Sequence, residues 1–425
     1  MNHQTKQPMR TGLLGEKLSH SFSPQIHKSL AGDRYSYELF ERAPEEVEAF
    51  IKGDEWDALN VTIPYKQVVM PYLDVISDEA RRIGAVNTIT RLPDGRLGGD
   101  NTDYFGFART LTACGCDPKG KKALVLGNGG AAATAVTVLT DMGAEVVLLG
   151  RSDRHVGGLS PEPYETVYDR HPDTAVVVNC TPVGMYPNNG VSPLELSQFP
   201  ELEGVLDLIY NPARTQLLLD CERYGIPGWS GLWMLVAQAK QSAQWFMNKE
   251  LPDSLISDIH RKLRDRMENI ALIGMAGCGK STLGRQLAKE TGKQFVDADA
   301  EVERLAGKTI PEIFADDGEE EFRRLETAVL AELGRRSGLV IATGGGCVTR
   351  ERNYPLLHQN SRIIWIKRAP GKLPTAGRPL SQKTAPGLLY DQRRPLYKAF
   401  SDAAIDNDGT RGEALTQILN LLEVL

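Results

Sequence analysis

The sequence has few cysteines and no long apolar segment. Its 425 residues include six cysteines, and the neighbouring pair Cys114 and Cys116 has no second pair or histidines to complete a zinc site. We therefore expect reduced thiols, as in a cytosolic protein. No run of 18 apolar residues could span a membrane, and the polar first ten residues lack the apolar core of a signal peptide. The expected location is the cytoplasm.

The chain also lacks an excess of positive charge. Its 49 Lys and Arg residues are outnumbered by 55 Asp and Glu residues, so the formal net charge is −6. This balance argues against binding to nucleic acids or to anionic membranes. A hydrophobic content of 41% and a charged content of 24% are typical of a globular protein. A chain of this length is expected to form two or three domains.

A glycine-rich loop stands out in the second half of the chain. Residues 274–281 read Gly-Met-Ala-Gly-Cys-Gly-Lys-Ser and fit the pattern G-x-x-x-x-G-K-[ST]. The apolar run 269–273 before the loop indicates a buried strand, and residues 282–291 after it indicate a helix. In this setting the loop amides and the helix N-terminus point at phosphate oxygens. We predict a nucleoside triphosphate site formed by Gly277, Gly279, Lys280, Ser281 and Thr282, with Ser281 holding Mg²⁺.

A second glycine-rich loop lies between two predicted strands. Residues 123–126 and 145–149 are predicted strands, and residues 133–142 are the predicted helix between them. The loop reads Gly-Asn-Gly-Gly-Ala-Ala and fits G-x-G-x-x-A, the fingerprint of a dinucleotide site. The residues expected to approach the dinucleotide are Gly127, Gly129, Gly130 and Ala131. For both loops, the alternative is a tight turn that binds no nucleotide.

The residues after the second of these strands indicate which dinucleotide binds. NAD sites place Asp or Glu there to hold the ribose 2′-hydroxyl, whereas residues 150–154 read Gly-Arg-Ser-Asp-Arg. An arginine suits a 2′-phosphate, and its guanidinium can also stack on adenine. Asp153 is unfavourable for a phosphate, but it lies two residues beyond Arg151. We predict NADP rather than NAD, bound with Arg151, Ser152 and Arg154.

Residues 11 to about 250 resemble shikimate dehydrogenase through several motifs that occur in the order typical of the family. The motifs are His-Ser-Phe-Ser-Pro at 20–24, Asn-Val-Thr-Ile-Pro-Tyr-Lys at 60–66, Gly-Ala-Val-Asn-Thr at 84–88 and Gly-Asp-Asn-Thr-Asp at 99–103. Residues 179–185 resemble the loop over the nicotinamide, and residues 207–212 and 231–238 resemble further cofactor and substrate contacts. Two positions depart from the family: Gly150 stands where asparagine usually precedes the arginine, and Trp233 stands where glycine is common.

The resemblance implies roles for individual residues. Lys66 and Asp103 would serve the proton transfer at the C3 oxygen while hydride moves to or from the nicotinamide. The implied substrate contacts are Ser21, Ser23, Asn60, Thr62, Asn87, Tyr210 and Gln238. The implied contacts on the nicotinamide side are Thr181 and Gly231. Taken singly, each residue has an ordinary alternative role, such as helix capping by Ser23.

Residues 268–425 resemble shikimate kinase. Beyond the phosphate loop, the motifs are Asp-Ala-Asp at 297–299, Glu-Phe-Arg-Arg-Leu-Glu at 321–326, three glycines at 344–346, Arg-Pro-Leu at 378–380 and Arg-Arg-Pro-Leu-Tyr at 393–397. The resemblance implies that Asp297 supports Mg²⁺ and that Asp299 grips the substrate diol. The other implied substrate contacts are Arg323 (supported by Glu326), Gly345, Gly346 and Arg393.

Two cations are expected to act on the transferring phosphoryl group. Lys280 lies in the phosphate loop, and Arg378 matches the arginine of the kinase lid. Only residues 368–377 separate the predicted strand 362–367 from Arg378, and they contain two prolines and two glycines. Because that composition disfavours a helix, we expect a short, mobile lid.

The whole chain thus resembles a fusion of two consecutive enzymes of aromatic amino-acid biosynthesis. The expected fold is α/β. Its expected parts are a substrate domain at 1–105 completed by helix 231–250, a Rossmann-type NADP domain at 106–230, a solvated linker helix at 254–267 and a P-loop domain, like that of nucleoside monophosphate kinases, at 268–425.

The implied reactions use only small molecules. They are the NADPH-dependent reduction of 3-dehydroshikimate to shikimate and its ATP- and Mg²⁺-dependent phosphorylation to shikimate 3-phosphate. One alternative is an NAD-dependent quinate/shikimate dehydrogenase with a kinase-like domain. A regulatory protein built from inactivated pathway domains is another alternative.

Overall fold

The computed structural model describes residues 9–18, 21–373 and 386–424. The chain divides into two compact units. The first comprises Met1–Pro182, Pro193–Tyr210 and Asp220–Lys262, and the second comprises Val183–Ser192, Asn211–Leu219 and Leu263–Leu425. The predicted α/β class is confirmed, whereas the finer domain boundaries given above stay predictions. Among the described residues, no helix has both the length and the apolar character needed to cross a membrane.

A six-stranded mixed sheet forms the N-terminal part of the first unit. Its strands are β1 (Met9–Gly15), β2 (Tyr35–Glu41), β3 (Ala58–Val61), β4 (Val75–Ile76), β5 (Thr88–Arg91) and β6 (Leu97–Asp100). The strand order is β2-β1-β3-β5-β6-β4, and β5 runs antiparallel to both of its neighbours. The helices in this region are α1 (Ser23–Ala31), α2 (Val47–Lys52) and α3 (Asp78–Ile83). Buried side chains such as Leu14, Trp56 and Ile89 form the core.

A five-stranded parallel sheet follows. Its strands are β7 (Lys122–Leu126), β8 (Glu145–Leu149), β9 (Thr174–Asn179), β10 (Gly204–Asp207) and β11 (Gly228–Ser230), in the order β11-β10-β9-β7-β8. The helices of this part of the chain are α4 (Thr102–Ala113), α5 (Gly130–Asp141), α6 (Val167–Arg170), α7 (Gln216–Tyr224) and α8 (Leu232–Met247). The order reverses beside β7, which pairs with both β8 and β9. Ligands of such sheets bind at the carboxyl ends of the strands at this reversal.

Helices α4 and α8 pack unusually closely at Gly106. A Cβ atom at this position would lie 2.9 Å from Gln238 Cβ and 3.0 Å from the carbonyl oxygen of Met234. Glycine is therefore required at position 106 for α8 to lie this close to α4.

The helix after this region, α9 (Ser254–Met267), differs from the solvated linker helix that we expected. Its apolar residues recur at helical spacing, and Ile256, Ile259, Leu263 and Met267 are all at most 5% exposed. Counting its charged residues had hidden this apolar stripe, which is what buries one side of an amphipathic helix.

The second unit contains a five-stranded parallel sheet. Its strands are β12 (Asn269–Ile273), β13 (Gln294–Asp297), β14 (Leu339–Ala342), β15 (Ser361–Lys367) and β16 (Ala403–Asp406), in the order β13-β14-β12-β15-β16. The described helices that follow α9 are α10 (Lys280–Thr291), α11 (Ala298–Ala306), α12 (Ile310–Asp316), α13 (Gly318–Arg335), α14 (Asn353–His358), α15 (Pro386–Phe400) and α16 (Arg411–Val424). Because all five strands are parallel, the loops after them meet at one edge of the sheet.

Both helices that follow the glycine-rich loops begin earlier than predicted. Helix α5 begins at Gly130 rather than at residue 133, and α10 begins at Lys280 rather than at residue 282. Glycine forms the N-cap in both cases, at Gly129 and Gly279. The predicted starts were wrong because each loop runs directly into its helix. The phosphate-binding amides therefore belong to the first helical turn.

The contact between α13 and α14 yields a stability prediction. A Cβ atom at Gly334 would lie 1.8 Å from the carbonyl oxygen of Leu356, so Gly334→Ala must push the helices apart at a cost of about 1–3 kcal/mol. Gly412→Ala is the matched control, because a Cβ there meets nothing within 4 Å. Hydrogen exchange should quicken in α13 and α14 only for Gly334→Ala. Equal exchange in the two variants would contradict the close contact.

Candidate functional site

Lys66 and Asp103 form an ion pair at the end of the first sheet. Lys66 Nζ lies 2.6 Å from Asp103 Oδ2, and the two side chains are 27% and 16% exposed. Asp103 lies in the first turn of α4, where the N-cap Asn101 accepts a hydrogen bond from its backbone nitrogen at 3.1 Å. The carbonyl oxygen of Lys66 accepts from the backbone nitrogen of Val86. The ammonium group is thus fixed beside a carboxylate yet still reachable, as a proton donor must be.

Buried polar side chains surround this pair. Asn60 Nδ2 donates to Ser242 Oγ at 2.8 Å and to Thr88 Oγ1 at 3.2 Å, while Asn60 Oδ1 accepts from the Tyr37 hydroxyl at 2.9 Å. Asn60 is only 6% exposed, so its amide is already engaged by the protein. The structure therefore gives Asn60 a part in the framework of the site.

Asn87 has a different set of contacts. Its Oδ1 accepts from the backbone nitrogen of Thr102 at 2.8 Å and from Thr102 Oγ1 at 3.1 Å. Its amide nitrogen makes no hydrogen bond with any described residue, which leaves it available to a ligand. Gln238 Oε1 lies 3.4 Å from Thr102 Oγ1, so α8 brings this predicted substrate residue to the same cluster.

The start of α1 contributes the predicted serines. Ser21 Oγ accepts from the backbone nitrogen of Ser23 at 3.2 Å. The ring of Phe22 between them packs edge-on against Tyr210 at 6.1 Å, which places Tyr210 near the serines. Thr62 lies in the turn before Lys66, where its carbonyl oxygen accepts from the backbone nitrogen of Tyr65.

Sequence reasoning missed Tyr37, His27 and Ser242. Burial raises the pKa of Tyr37 well above its ordinary value, although a side-chain hydrogen bond with Ser23 acts to lower this pKa. His27 stacks on Tyr37 with ring centroids 4.0 Å apart, and burial lowers its pKa to about 3, so it packs as a neutral ring. Tyr37 lies on β2, which no motif marks. Ser242 lies one helical turn after Gln238, and that spacing could have revealed it.

The dinucleotide loop lies at the reversal of the second sheet. Gly127 has φ +94°, and a Cβ there would lie 2.9 Å from Thr181 Cγ2. A Cβ at Gly129 or Gly130 would meet nothing within 4 Å, so the N-terminus of α5 is open, and Ala131 follows in its first turn. This free space at a helix N-terminus fits a pyrophosphate.

The loop after β8 presents positive charge. Arg151, Ser152 and Arg154 are all exposed, and neither arginine forms an ion pair with a described residue. Tyr164, which sequence reasoning missed, lies close enough to Arg151 for this cation to lower its pKa, although burial raises that pKa more. Two unpaired guanidinium groups suit the extra phosphate of NADP.

Gly231 and Trp233 have structural explanations. A Cβ at Gly231 would lie 2.1 Å from the carbonyl oxygen of Leu208, so only glycine fits before α8. The ring of Trp233 packs 5.3 Å from that of His260 on α9. The departure at position 233 thus supplies a contact with α9.

The phosphate loop of the second unit lines a cavity of about 570 Å³. Lys280 is 7% exposed, and its Nζ donates to the carbonyl oxygens of Gly274 at 2.8 Å and Met275 at 3.0 Å. Gly277, Gly279 and Thr282 line the same cavity. A triphosphate would offer this buried ammonium a stronger partner than two neutral carbonyls.

A hydroxyl at the end of the phosphate loop and two carboxylates after β13 also line the cavity. Ser281 Oγ donates to Asp297 Oδ2 at 2.7 Å, and Asp297 Oδ1 accepts from the backbone nitrogen of Asp299 at 3.2 Å. Burial raises the pKa of Asp299, although the charge of Lys280 opposes this shift. No cluster of three His, Cys, Asp or Glu side chains suited to a metal ion occurs among the described residues. One carboxylate, a hydroxyl and nucleotide phosphates would suit Mg²⁺, which keeps few protein ligands.

The predicted carboxylate-binding arginines lie close to the three glycines. Arg323 Nη1 lies 2.7 Å from Glu326 Oε2, and these side chains are 4% and 1% exposed. A Cβ at Gly346 would lie 2.2 Å from Arg323 Nη2. Arg393 Nη1 donates to the carbonyl oxygen of Gly345 at 3.1 Å. The guanidinium groups of Arg323 and Arg393 therefore flank the backbone of Gly345 and Gly346. Because these glycines carry no side chains, a small anionic ring can lie flat on them.

Further residues at the carboxyl ends of β15 and β16 line the cavity. They are Arg368, Asn407, Gly409 and Arg411. Asn407 Nδ2 donates to the carbonyl oxygen of Cys278 at 2.7 Å, so it fixes the phosphate loop. Only their position after parallel strands could have marked them in the sequence. The predicted lid arginine, Arg378, lies outside the described residues.

Two family profiles match different parts of this chain. The family profile for the shikimate dehydrogenase substrate binding domain matches residues 13–89, and that for shikimate kinase matches residues 276–423. Shikimate dehydrogenase (NADP(+)) of Clostridium beijerinckii is 38% identical over 261 residues, covering 59% of this chain and 96% of the relative. The Methanopyrus kandleri enzyme of the same name is 37% identical over 264 residues, covering 57% and 91%.

Solved structures agree over the same region. Shikimate dehydrogenase 1 from Peptoclostridium difficile is 38% identical with a TM-score of 0.54, covering 60% of this chain and 97% of the other. A chorismate mutase/shikimate 5-dehydrogenase fusion protein from Clostridium acetobutylicum is 34% identical with a TM-score of 0.57, at the same coverage. The chain belongs to the shikimate dehydrogenase family and carries a shikimate kinase domain at its C-terminal end.

Proposed function

We propose that this protein catalyses two consecutive reactions, the NADPH-dependent reduction of 3-dehydroshikimate and the ATP-dependent phosphorylation of the shikimate formed. The Lys66–Asp103 ion pair of 2.6 Å, set among buried polyol-binding side chains, carries the first assignment. The buried phosphate-loop lysine beside Asp299 carries the second. The substrates of the protein are small molecules. The expected location of the protein is the cytoplasm, where its six free cysteines would stay reduced.

The reduction adds a hydride to carbon and a proton to the C3 oxygen. NADPH, held by the open N-terminus of α5 and by Arg151 and Arg154, supplies the hydride when bound. Lys66 holds the proton at Nζ and donates it to the oxygen. Asp103 orients the ammonium group through one carboxylate oxygen. Its other oxygen can accept a hydrogen bond from a substrate hydroxyl. The serines Ser21 and Ser23 offer hydroxyl donors for a carboxylate.

The phosphorylation uses a different arrangement. ATP supplies the phosphoryl group when bound, and Ser281 and Asp297 would hold its Mg²⁺. Asp299 accepts a hydrogen bond from the substrate hydroxyl, orients its oxygen toward the phosphate loop, and takes its proton as the new O–P bond forms and ADP leaves. Lys280 places a positive charge where negative charge accumulates during transfer. Arg323 and Arg393 hold the carboxylate of the substrate, which lies on the backbone of Gly345 and Gly346.

The two alternatives are less consistent with the residues present. An NAD enzyme would place an acidic side chain where Arg151 stands. A regulatory protein derived from inactive domains is expected to lack catalytic groups, yet Lys66, Asp103, Lys280, Asp299 and Arg323 all stand in the described sites. A single assay tests both activities. NADPH or NADH is oxidised with 3-dehydroshikimate, MgATP is then added, and ADP is measured.

Replacing Lys66 should stop the reduction without affecting the kinase. Lys66→Met removes the proton donor, so dehydrogenase kcat should fall by about 10²–10⁴-fold. Lys28→Met, which changes a lysine 77% exposed on α1, is the control and should retain full activity. Stopped-flow absorbance of NADPH and an ADP assay measure the two reactions. If Lys66→Met raised only the KM, Lys66 would be a binding residue.

Replacing Arg323 should weaken shikimate binding to the kinase. Arg323→Lys keeps a charge beside Glu326 but loses the planar fork that pairs with a carboxylate, so the KM for shikimate should rise about tenfold or more. Arg324→Lys is the matched control, because this neighbour is 63% exposed and pairs with Glu321 on the helix surface. Kinase kinetics at saturating ATP give the answer. Equal KM values in the two variants would remove Arg323 from the substrate site.

A further inference from the structure

The side chain of Asn128, in the middle of the dinucleotide loop, reaches across to the loop after β8. Its Nδ2 donates to the carbonyl oxygen of Ser152 at 2.9 Å, to Ser152 Oγ at 2.9 Å and, more weakly, to the carbonyl oxygen of Arg154 at 3.3 Å. Backbone carbonyls only accept hydrogen bonds, so the amide nitrogen must face them. One side chain therefore ties the glycine-rich loop to the segment 151–154.

Gly150 provides the space for this bridge. A Cβ atom at residue 150 would lie 3.0 Å from Asn128 Nδ2 and 3.0 Å from Pro161 Cβ. Both distances are tighter than ordinary van der Waals contact. A side chain at residue 150 would thus press on the amide of Asn128 and on Pro161, and a neighbour would have to shift by a few tenths of an ångström. The glycine that departs from the usual asparagine before the arginine is complementary to an asparagine in the first loop.

The hydrogen bonds of Asn128 fix the backbone of the segment that carries two exposed arginines. Arg151 and Arg154 are exposed, and no ion pair with a described residue holds either of them. The backbone between them would lose freedom when a phosphate binds, and this loss of conformational entropy weakens binding. Asn128 fixes the carbonyls of Ser152 and Arg154 in advance, so less of that cost remains at binding.

We infer that Asn128 is a positioning residue for recognition of the 2′-phosphate of NADP. It holds the segment 151–154 in the shape in which Arg151 and Arg154 can meet a phosphate, and Gly150 makes room for it. This inference rests on the proposed use of NADPH. It predicts that one amide is needed in this place and that the amide can come from residue 128 or from residue 150.

Calorimetry on the full chain tests the inference with two fragments of the dinucleotide. The probes are adenosine 2′,5′-bisphosphate, which carries the 2′-phosphate, and adenosine 5′-monophosphate, which lacks it. Asn128→Ala should weaken binding of the bisphosphate about tenfold and change binding of the monophosphate less than twofold. Gly150→Asn alone should also weaken the bisphosphate, because the added side chain displaces the amide of Asn128.

The double variant Asn128→Ala/Gly150→Asn is the decisive measurement. Removal of the Asn128 amide vacates the place that a side chain at residue 150 needs, so the double variant should bind the bisphosphate more tightly than either single variant. The two changes are expected to be strongly non-additive, as residues in contact are. Binding of the monophosphate within twofold of the wild-type affinity reports that the dinucleotide-binding part of each variant is folded.

Several outcomes would overturn the inference. If Asn128→Ala weakened both probes alike, Asn128 would support dinucleotide binding in general. An unchanged affinity of Asn128→Ala for the bisphosphate would also reject the inference. So would a double variant whose loss of binding free energy equals the sum of the losses in the two single variants. A wild-type chain that bound both probes equally would instead show that the NADP assignment itself is wrong. That result is visible before any variant is made.

Discussion

Gly106 allows α4 and α8 to pack closer than any side chain at that position would permit. Asp103 lies one turn before this glycine on α4, and Gln238 lies opposite it on α8. The same approach brings Thr102 Oγ1 within 3.0 Å of Ser242 Oγ. The acid–base pair, the predicted substrate amide and the buried hydroxyls therefore depend on one distance between two helices. A methyl group at position 106 would therefore push Gln238 away from Thr102.

Several charged side chains of the kinase site are buried. Lys280 is buried and donates to two carbonyl oxygens and, at 3.9 Å, to Cys278 Sγ, while Arg323 and Glu326 form an ion pair that is almost fully buried. Buried charges are costly, and a buried pair is not a reliable source of stability. Function offers an explanation for this arrangement, because a triphosphate would place negative charge beside Lys280 and a substrate carboxylate would place it beside Arg323.

The sequence predicted those parts of the sites that local motifs specify. The phosphate loop, the dinucleotide loop and the separate motifs ending in Lys66 and Asp103 could be recognised because each forms within a few residues, and the structure brings Lys66 and Asp103 together. Tyr37 and Asn407 could not be found in this way, and Ser242 is marked only by its spacing of one helical turn from Gln238. Each acts through a partner 23 to 182 residues away, which only the completed fold defines. Charge counting likewise hid the buried stripe of α9.

The pair Asn128 and Gly150 shows why a departure from a family pattern must be judged in three dimensions. At position 150 glycine stands where the family usually has an asparagine before the arginine. In the folded chain an amide still contacts the same segment, supplied by a residue 24 positions from Ser152 along the chain. A hydrogen bond requires a donor at a point in space, and two loops that meet there can each supply it. The glycine and the asparagine therefore form one feature of the site, and neither can be interpreted without the other.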